Sequence, residues 1–412
     1  MKAAPLIPAL TGARLVACLL VVVDHGLLVV PFAGPEFAWQ YQAGVNIGFF
    51  GMSLFFVLSG FVIYLNYAPQ FQTRPFAEAT LDFAVARFAR LYPLYAFFML
   101  LVLASVKSVR IPAMFPDLLW WIPLMQSWVL GSGKIPVLLA VEEAALTWSI
   151  STEVFFYAVF PVLCLFVFKA LRWRTHVRLE MPLLSVCALL VVYGAYLAMP
   201  ALEAWGQPIS NREVLLWLAY WSPYCQLFAF LGGVTAARLY LELQSRPVGR
   251  REARIAAWGA VGAVAFLPIG LFVAPIGRWG TDFFGAFVHF NLWNLPASVF
   301  LVFYLARYDS ALGRLLSGRL AVGGGEASYS IYLFHLWVVV RVTGSESVFS
   351  TSTALEWLAR FAIYVLFTFA VACGTYRLIE MPSRRWIRQA YARLRSRKSN
   401  PAPVTASGLA ND

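Results

Sequence analysis

Arg14 and His25 fall in one long apolar stretch, Leu10–Val30. Eleven steps of about 100° return two side chains to nearly the same helix face, roughly 16 Å apart. A cation at one end of that face and an imidazole at the other match a donor with phosphates at one end and a reactive carbonyl at the other, as in an acyl-CoA thioester. Arg14 would hold phosphate, and His25 would act as general base on an attacking hydroxyl or meet the carbonyl itself. The plainer reading makes Arg14 a snorkelling anchor and His25 a buried hydrogen-bonding residue. Ionisable groups inside apolar helices are costly and are functional candidates by default. His25 is read as functional on that ground, while Arg14 stays open between the two readings.

Arg87 and Arg90 stand three apart, so both guanidinium groups share one side of a helical turn and suit a diphosphate; positive-inside anchoring explains such a pair equally well. Trp148-Ser149-Ile150-Ser151-Thr152-Glu153 opens another apolar run and puts Ser149 and Glu153 on one face. Ser149 is a substrate-side hydroxyl or merely a helix cap. Glu153, a carboxylate five residues into a spanning helix, needs a proton, a partner or water. Ser328, Tyr332 and His335 recur at i, i+4 and i+7, a polar face fit to line a cavity, with interhelical hydrogen bonding as the alternative for His335. His176 and His289 receive no role. Ser59 in Leu58-Ser59-Gly60 lacks the first glycine of a G-x-S-x-G nucleophile elbow.

The elements that position these residues are membrane helices. Of 412 residues, 61% are hydrophobic and only 13% charged, where soluble domains carry roughly a quarter. Apolar runs of about twenty residues recur from Leu10 to Ile379, each long enough to span a bilayer core. The first is too long for the h-region of a signal peptide and contains Arg14, Asp24 and His25, so it is read as a retained helix. The net charge of +12 sits in short loops, as a topology signal rather than a nucleic-acid surface. Five cysteines lie singly without CxxC spacing, so neither disulfides nor a metal site are expected.

Lys2 puts the amino terminus in the cytoplasm, and spans at 10–30, 47–67 and 91–106 alternate from there. Lys169, Arg172, Arg174 and Arg178 follow the run Trp148–Phe168 and mark a cytoplasmic loop. Parity then requires that Ala113–Leu130, rich in Pro and Trp, be re-entrant or interfacial. Further spans near 181–199, 214–240, 255–275, 283–305, 324–343 and 355–379 complete about ten crossings, with a basic cytoplasmic tail from Arg384. The expected fold is therefore all-α: a polytopic membrane helix bundle over residues 1–398 and a disordered tail over 399–412.

In their shared order these segments resemble the acyltransferase-3 family of bacterial membrane acyltransferases. The resemblance is carried by Leu10-Thr11-Gly12-Ala13-Arg14 through Asp24-His25-Gly26, Phe55-Phe56-Val57-Leu58-Ser59-Gly60-Phe61, Arg87-Phe88-Ala89-Arg90, Trp148 to Glu153, Ser328 to His335, and Ile379-Glu380-Met381-Pro382. Ser53 stands where many members carry Asp, so no role for that Asp transfers. The chain looks like the stand-alone form, without the periplasmic hydrolase-like domain of some members. The resemblance implies a cytoplasmic acyl-CoA co-substrate, usually acetyl-CoA, no tightly bound cofactor, and a hydroxyl on a surface or exported carbohydrate as acceptor. It also implies a bacterial inner-membrane location with both termini cytoplasmic. On this reading Arg14, Arg87 and Arg90 bind donor phosphates, His25 is the base, and Glu153 orients and charge-stabilises His25 from a matching depth. Ser149, Tyr332 and His335 contact substrate. A covalent acyl-histidine is equally compatible. The rivals are a transporter or flippase for a polysaccharide precursor and a catalytically idle scaffold.

Overall fold

The computed structural model describes residues 6–29, 38–105, 119–128, 146–165, 217–273, 283–343 and 354–399, with short pieces at 186, 189–190 and 192–194. The described residues form helices and turns without a strand. The long elements are α1 (Pro8–Val29), α2 (Ala38–Thr73), α3 (Phe76–Ser105), α4 (Thr147–Cys164), α5 (Pro223–Leu243) and α6 (Arg250–Val273). They continue with α7 (Phe283–Phe287), α8 (Leu295–Arg307), two short helices α9 (Ala311–Leu316) and α10 (Arg319–Glu326), then α11 (Ser328–Thr343), α12 (Ala354–Thr375) and α13 (Met381–Ser399). Pro223 and Pro296 sit in the first turns of α5 and α8, where a missing N–H costs nothing. Ser310 caps α9 by accepting from the Gly313 N–H at 3.0 Å.

Among the described residues six stretches are long and apolar enough to cross a bilayer, at Pro8–Leu27, Asn46–Thr73, Phe76–Ser105, Thr147–Cys164, Gly285–Arg307 and Leu355–Ser396; Ser328–Val339 is a shorter apolar helix. Their relative directions follow from side-chain partners. Cys18 meets Ser328 and His25 meets His335, so α1 and α11 run in parallel. Leu91 meets Tyr329 and Phe98 meets Phe334, so α3 runs the same way. Asp24 sits by Gly48 while Ala17 and Val21 sit by Gly51, which makes α2 antiparallel to α1. Phe56 lies beside Trp148 and Phe71 beside Phe160, so α4 runs with α2. Phe49 beside Tyr220 and Phe61 beside Tyr240 give α5 that same direction. α6 returns against α8, and Tyr364 donating to the Val22 carbonyl at 3.1 Å sets α12 against α1.

These directions match the alternation read from the basic loops. Because α3 and α4 are antiparallel, the chain leaves and rejoins the bundle at one end, and Leu119–Trp128 lies there. Tyr95 Oη donates to the Trp121 carbonyl at 2.8 Å, Gln126 Nε2 to the Thr147 carbonyl at 3.1 Å and Trp128 Nε1 to the Ser151 carbonyl at 3.0 Å. The end of α3 and the start of α4 thus lie at one end of the bundle, as the parity argument requires. The basic loop 169–178, most of the expected 181–199 helix and the tail 400–412 lie outside the described residues.

Close helix contacts rest on glycine. A Cβ on Gly60 would strike the Phe230 carbonyl and one on Gly233 the Val57 carbonyl, so α2 and α5 cross with backbones touching. Gly12 against Leu316 and Gly325 against Thr11 seat the start of α1 on α9 and α10 in the same way.

Several boundaries differ from the sequence expectation. α3 begins at Phe76, fifteen residues before the expected start, because Arg74, Glu78 and Asp82 stabilise its polar first turns with ion pairs that hydropathy does not register. The expected 283–305 helix is broken by π-turns at Val288–Leu292, and 324–343 divides at Ala327. Residues 384–398, read as a basic tail, form the helix α13, which follows α12 through a π-turn at Tyr376–Glu380.

Candidate active site

α1, α2, α3, α4 and α11 border a cavity with an open mouth. Arg14, Arg90, Ser59 and Glu153 line it, with Met52, Phe55, Phe56 and Ile150 as apolar wall and Ser149, Ser328 and Tyr332 as further hydroxyls. Four separate runs of sequence thus deliver Arg14, Arg90, Glu153 with Ser149, and Tyr332 to one space.

Glu153 is held by Ser59, whose Oγ donates to Oε1 at 3.3 Å. Ser59 has no nucleophile elbow around it; its place on α2 opposite α4 makes it a carboxylate partner, which no spacing in the sequence announces. The Ser149 and Tyr332 hydroxyls lie 2.6 Å apart, and both reach the Leu146 carbonyl, at 3.0 and 3.2 Å. Ser149 is not a cap, since α4 begins at Thr147 without a side-chain cap.

The arginine pair on α3 is divided. Arg90 reaches the cavity, whereas Arg87 is bonded to Tyr67 Oη at 2.7 Å and lies over the rings of Tyr67, Tyr157 and Phe83 at 4.8, 5.6 and 5.9 Å. That aromatic cage fixes a guanidinium by hydrogen bonding and cation–π attraction together.

His25 and His335 lie outside the cavity lining, beyond Tyr332. His25 Nδ1 is 3.0 Å from the Val21 carbonyl and 3.3 Å from His335 Nε2, while His335 Nδ1 is 2.6 Å from the Tyr332 carbonyl. A carbonyl only accepts, so in the neutral rings each Nδ1 carries the proton. His335 Nε2 then presents its lone pair to the Nδ1–H of His25, and His25 Nε2 keeps a bare lone pair. His335 is fully buried, and the His25 side chain is about a quarter exposed. Asp24 Oδ2 stands 3.8 Å from His25 Nδ1.

The contact expected between His25 and Glu153 is not made; His335 takes that position. The first turn of α4 is level with Tyr332, not with His335, because Ser149 bonds to Tyr332. Tyr332 precedes His335 by three residues, and Glu153 lies four residues past Ser149 in the opposite sense. At 1.5 Å per residue this separates the carboxylate from the imidazole pair by about 10 Å along the helix axes.

A family profile described as an acyltransferase domain matches residues 7–377. Acyltransferase MdmB of Streptomyces mycarofaciens is 25% identical over 97% of this chain and 96% of its own length. Peptidoglycan O-acetyltransferase OatA of Listeria monocytogenes is 24% identical over 92% of this chain, and the putative peptidoglycan O-acetyltransferase YrhL of Bacillus subtilis is 25% identical over 92%. The chain spans little more than half of those two proteins, 56% and 55% of their lengths. No solved structure matches.

Proposed function

The chain belongs to the acyltransferase-3 family, and from that premise we propose that it transfers an acyl group, acetyl in the simplest case, from acyl-CoA to a hydroxyl of a cell-surface or exported carbohydrate. The observation that carries this reading is the order of groups along the bundle. Arg14, Arg90 and Glu153 share a cavity, the hydroxyls of Ser149 and Tyr332 follow, and the His25–His335 pair lies beyond. That order parallels the donor, from phosphate through the pantetheine arm to the thioester. Arg14 and Arg90 bind donor phosphate by charge-assisted hydrogen bonds. Arg87 supports Arg90 from its aromatic cage, and Glu153 orders the guanidinium groups around it.

At the far end, His25 Nε2 removes the proton from the acceptor hydroxyl as its oxygen bonds to the thioester carbonyl. The imidazolium so formed shares its Nδ1–H with His335 Nε2 and the Val21 carbonyl. The C–S bond then breaks, and the thiolate of CoA takes the proton from His25 Nε2. Ser149 and Tyr332 compete for one carbonyl, so a hydroxyl hydrogen can turn toward the carbonyl oxygen as it gains charge. The same bare lone pair serves an acyl-histidine route, which mass spectrometry of the protein after donor alone would reveal. The location proposed is a bacterial inner membrane with both termini and α13 in the cytoplasm. The test is acyl transfer in proteoliposomes supplied with labelled acetyl-CoA, paired with mass spectrometry of surface glycans from cells with and without the protein. Unchanged glycans and no CoA release would refute the reading.

A further inference from the structure

α13 lies along α3 in antiparallel register. Asp82 accepts from Tyr391 Oη at 2.6 Å and from Arg395, which also donates to Glu78 at 2.8 Å. Eleven residues back, Glu380 accepts from Ser330 at 2.7 Å, while the neighbouring Tyr329 donates to the Leu91 carbonyl at 2.9 Å. Position 391 opposite 82 and position 380 opposite about 92 give one continuous register. It sets Arg388 level with about position 85 and Arg384 level with about 88–89, one turn or less from Arg87 and Arg90. Arg384, Arg388, Tyr391 and Arg395 recur at i, i+4, i+7 and i+11 on one helix face, and the bonds of Tyr391 and Arg395 turn that face toward α3. Arg384 accordingly lies within electrostatic range of Arg87, Arg90 and Arg388, and Arg14 within range of Arg87 and Arg90.

Five guanidinium groups therefore converge at the Arg90 end of the cavity. Two carboxylates face them, Glu153 held by Ser59 and Glu380 by Ser330, and both lie within electrostatic range of the arginines. Among the described residues none of Arg14, Arg90, Arg384 and Arg388 has an ion-pair partner. Five guanidinium groups against two carboxylates leave positive charge in excess, and a polyanion relieves the repulsion. Two arginines lining the cavity and two on the helix outside it suit a ligand with phosphate at two separated positions. CoA is such a ligand, with a diphosphate next to the pantetheine arm and a phosphomonoester on the ribose 3′ oxygen.

We propose that Arg384 and Arg388 of α13 form a subsite for the ribose 3′-phosphate of CoA, while Arg14 and Arg90 hold the diphosphate. This rests on CoA as the donor. The test compares equilibrium binding of CoA and 3′-dephospho-CoA to the full chain in phosphatidylcholine nanodiscs, for wild type and for the Arg384→Gln/Arg388→Gln double variant. Asp82, Tyr391 and Arg395 stay intact in that variant, so α13 remains docked, and a Lys/Lys double variant serves if the Gln pair unfolds.

The wild type should prefer CoA by at least about tenfold, as a charge-assisted phosphate contact provides. The Gln variant should lose that preference by weakening for CoA alone, and the Lys variant should keep part of it. A preference that survives the Gln substitutions, or a wild type that binds both ligands equally, would overturn the subsite and leave the donor reading standing. A wild type that binds neither ligand would overturn the donor reading and the subsite with it. Nanodiscs containing phosphatidylglycerol form the second arm. If the two arginines affect only stability in that lipid, they bind headgroup phosphate and the CoA subsite is wrong.

Discussion

Replacing His335 by alanine removes the ring nitrogen that faces the Nδ1–H of His25 across 3.3 Å. In the ground state this is a hydrogen bond between neutral rings. Once His25 Nε2 takes the acceptor proton, the donor becomes an imidazolium and the bond is charge-assisted, with a contribution of about 1.5–3 kcal/mol. At about 1.4 kcal/mol per factor of ten, kcat should fall about 10- to 100-fold. The KM for acetyl-CoA should stay nearly constant, since His335 lies outside the cavity that holds Arg14 and Arg90. His335→Gln places a carbonyl oxygen near the lost Nε2 and should recover part of the rate, which a void left in the core would not allow. The assay is steady-state acetyl transfer in proteoliposomes at matched amounts of folded protein, with thermal unfolding measured in parallel. A kcat within threefold of wild type, a rise in KM that accounts for the whole loss, or no difference between Ala and Gln would refute the reasoning.

Arg90→Ala should weaken acetyl-CoA binding about 10- to 100-fold by loss of a charge-assisted contact. Arg87→Ala should act less on affinity and more on thermal stability, and calorimetric titration beside unfolding curves separates the two. His25→Ala and His335→Ala should be strongly non-additive in kcat, as groups acting as one unit are. Glu153→Gln should be nearly additive with His25→Ala; a double-mutant cycle with the opposite pattern would restore the direct pairing of His25 with Glu153. Gly233→Leu should lower stability by about 1–3 kcal/mol or more, because a side chain there meets the Val57 carbonyl; unchanged unfolding would mean that α2 and α5 do not touch. Asp82→Ala removes the acceptor shared by Arg74, Tyr391 and Arg395 and should speed hydrogen exchange in α13 while that of α4 stays fixed.

Much of the site was legible because it depends on helix faces. Arg14, Arg90, Ser149, Glu153 and Tyr332 were each marked by a polar group on an apolar helix, and all five line one cavity. What escaped the sequence is vertical register. Hydropathy says where a helix enters apolar surroundings, but the depth at which α4 sits against α11 is set by contacts such as Ser149 with Tyr332. Those contacts hand His25 to His335 rather than to Glu153. Arg87 was paired with Arg90 by spacing, yet the ring of Tyr67, brought by α2, holds it apart. α13 read as a tail for a related reason: its docking on α3 depends on polar bonds to Asp82 and Glu78, which apolar periodicity does not report.

The closed contact between Ser149 and Tyr332 bears on how such a chain coexists with an energised bilayer. Moving one elementary charge through 100 mV is worth about 2.3 kcal/mol, so a wet path through the bundle would dissipate the gradient that the cell maintains. On one side of that contact lies a cavity with arginines, and on the other a partly exposed imidazole. Between them stand two hydroxyls 2.6 Å apart, flanked by Phe55, whose ring centroid lies 5.9 Å from that of Tyr332. Widening that contact by Tyr332→Ala should therefore appear as proton leak in sealed vesicles even without any donor present, and an unchanged leak rate would show that the contact does not limit ion flow.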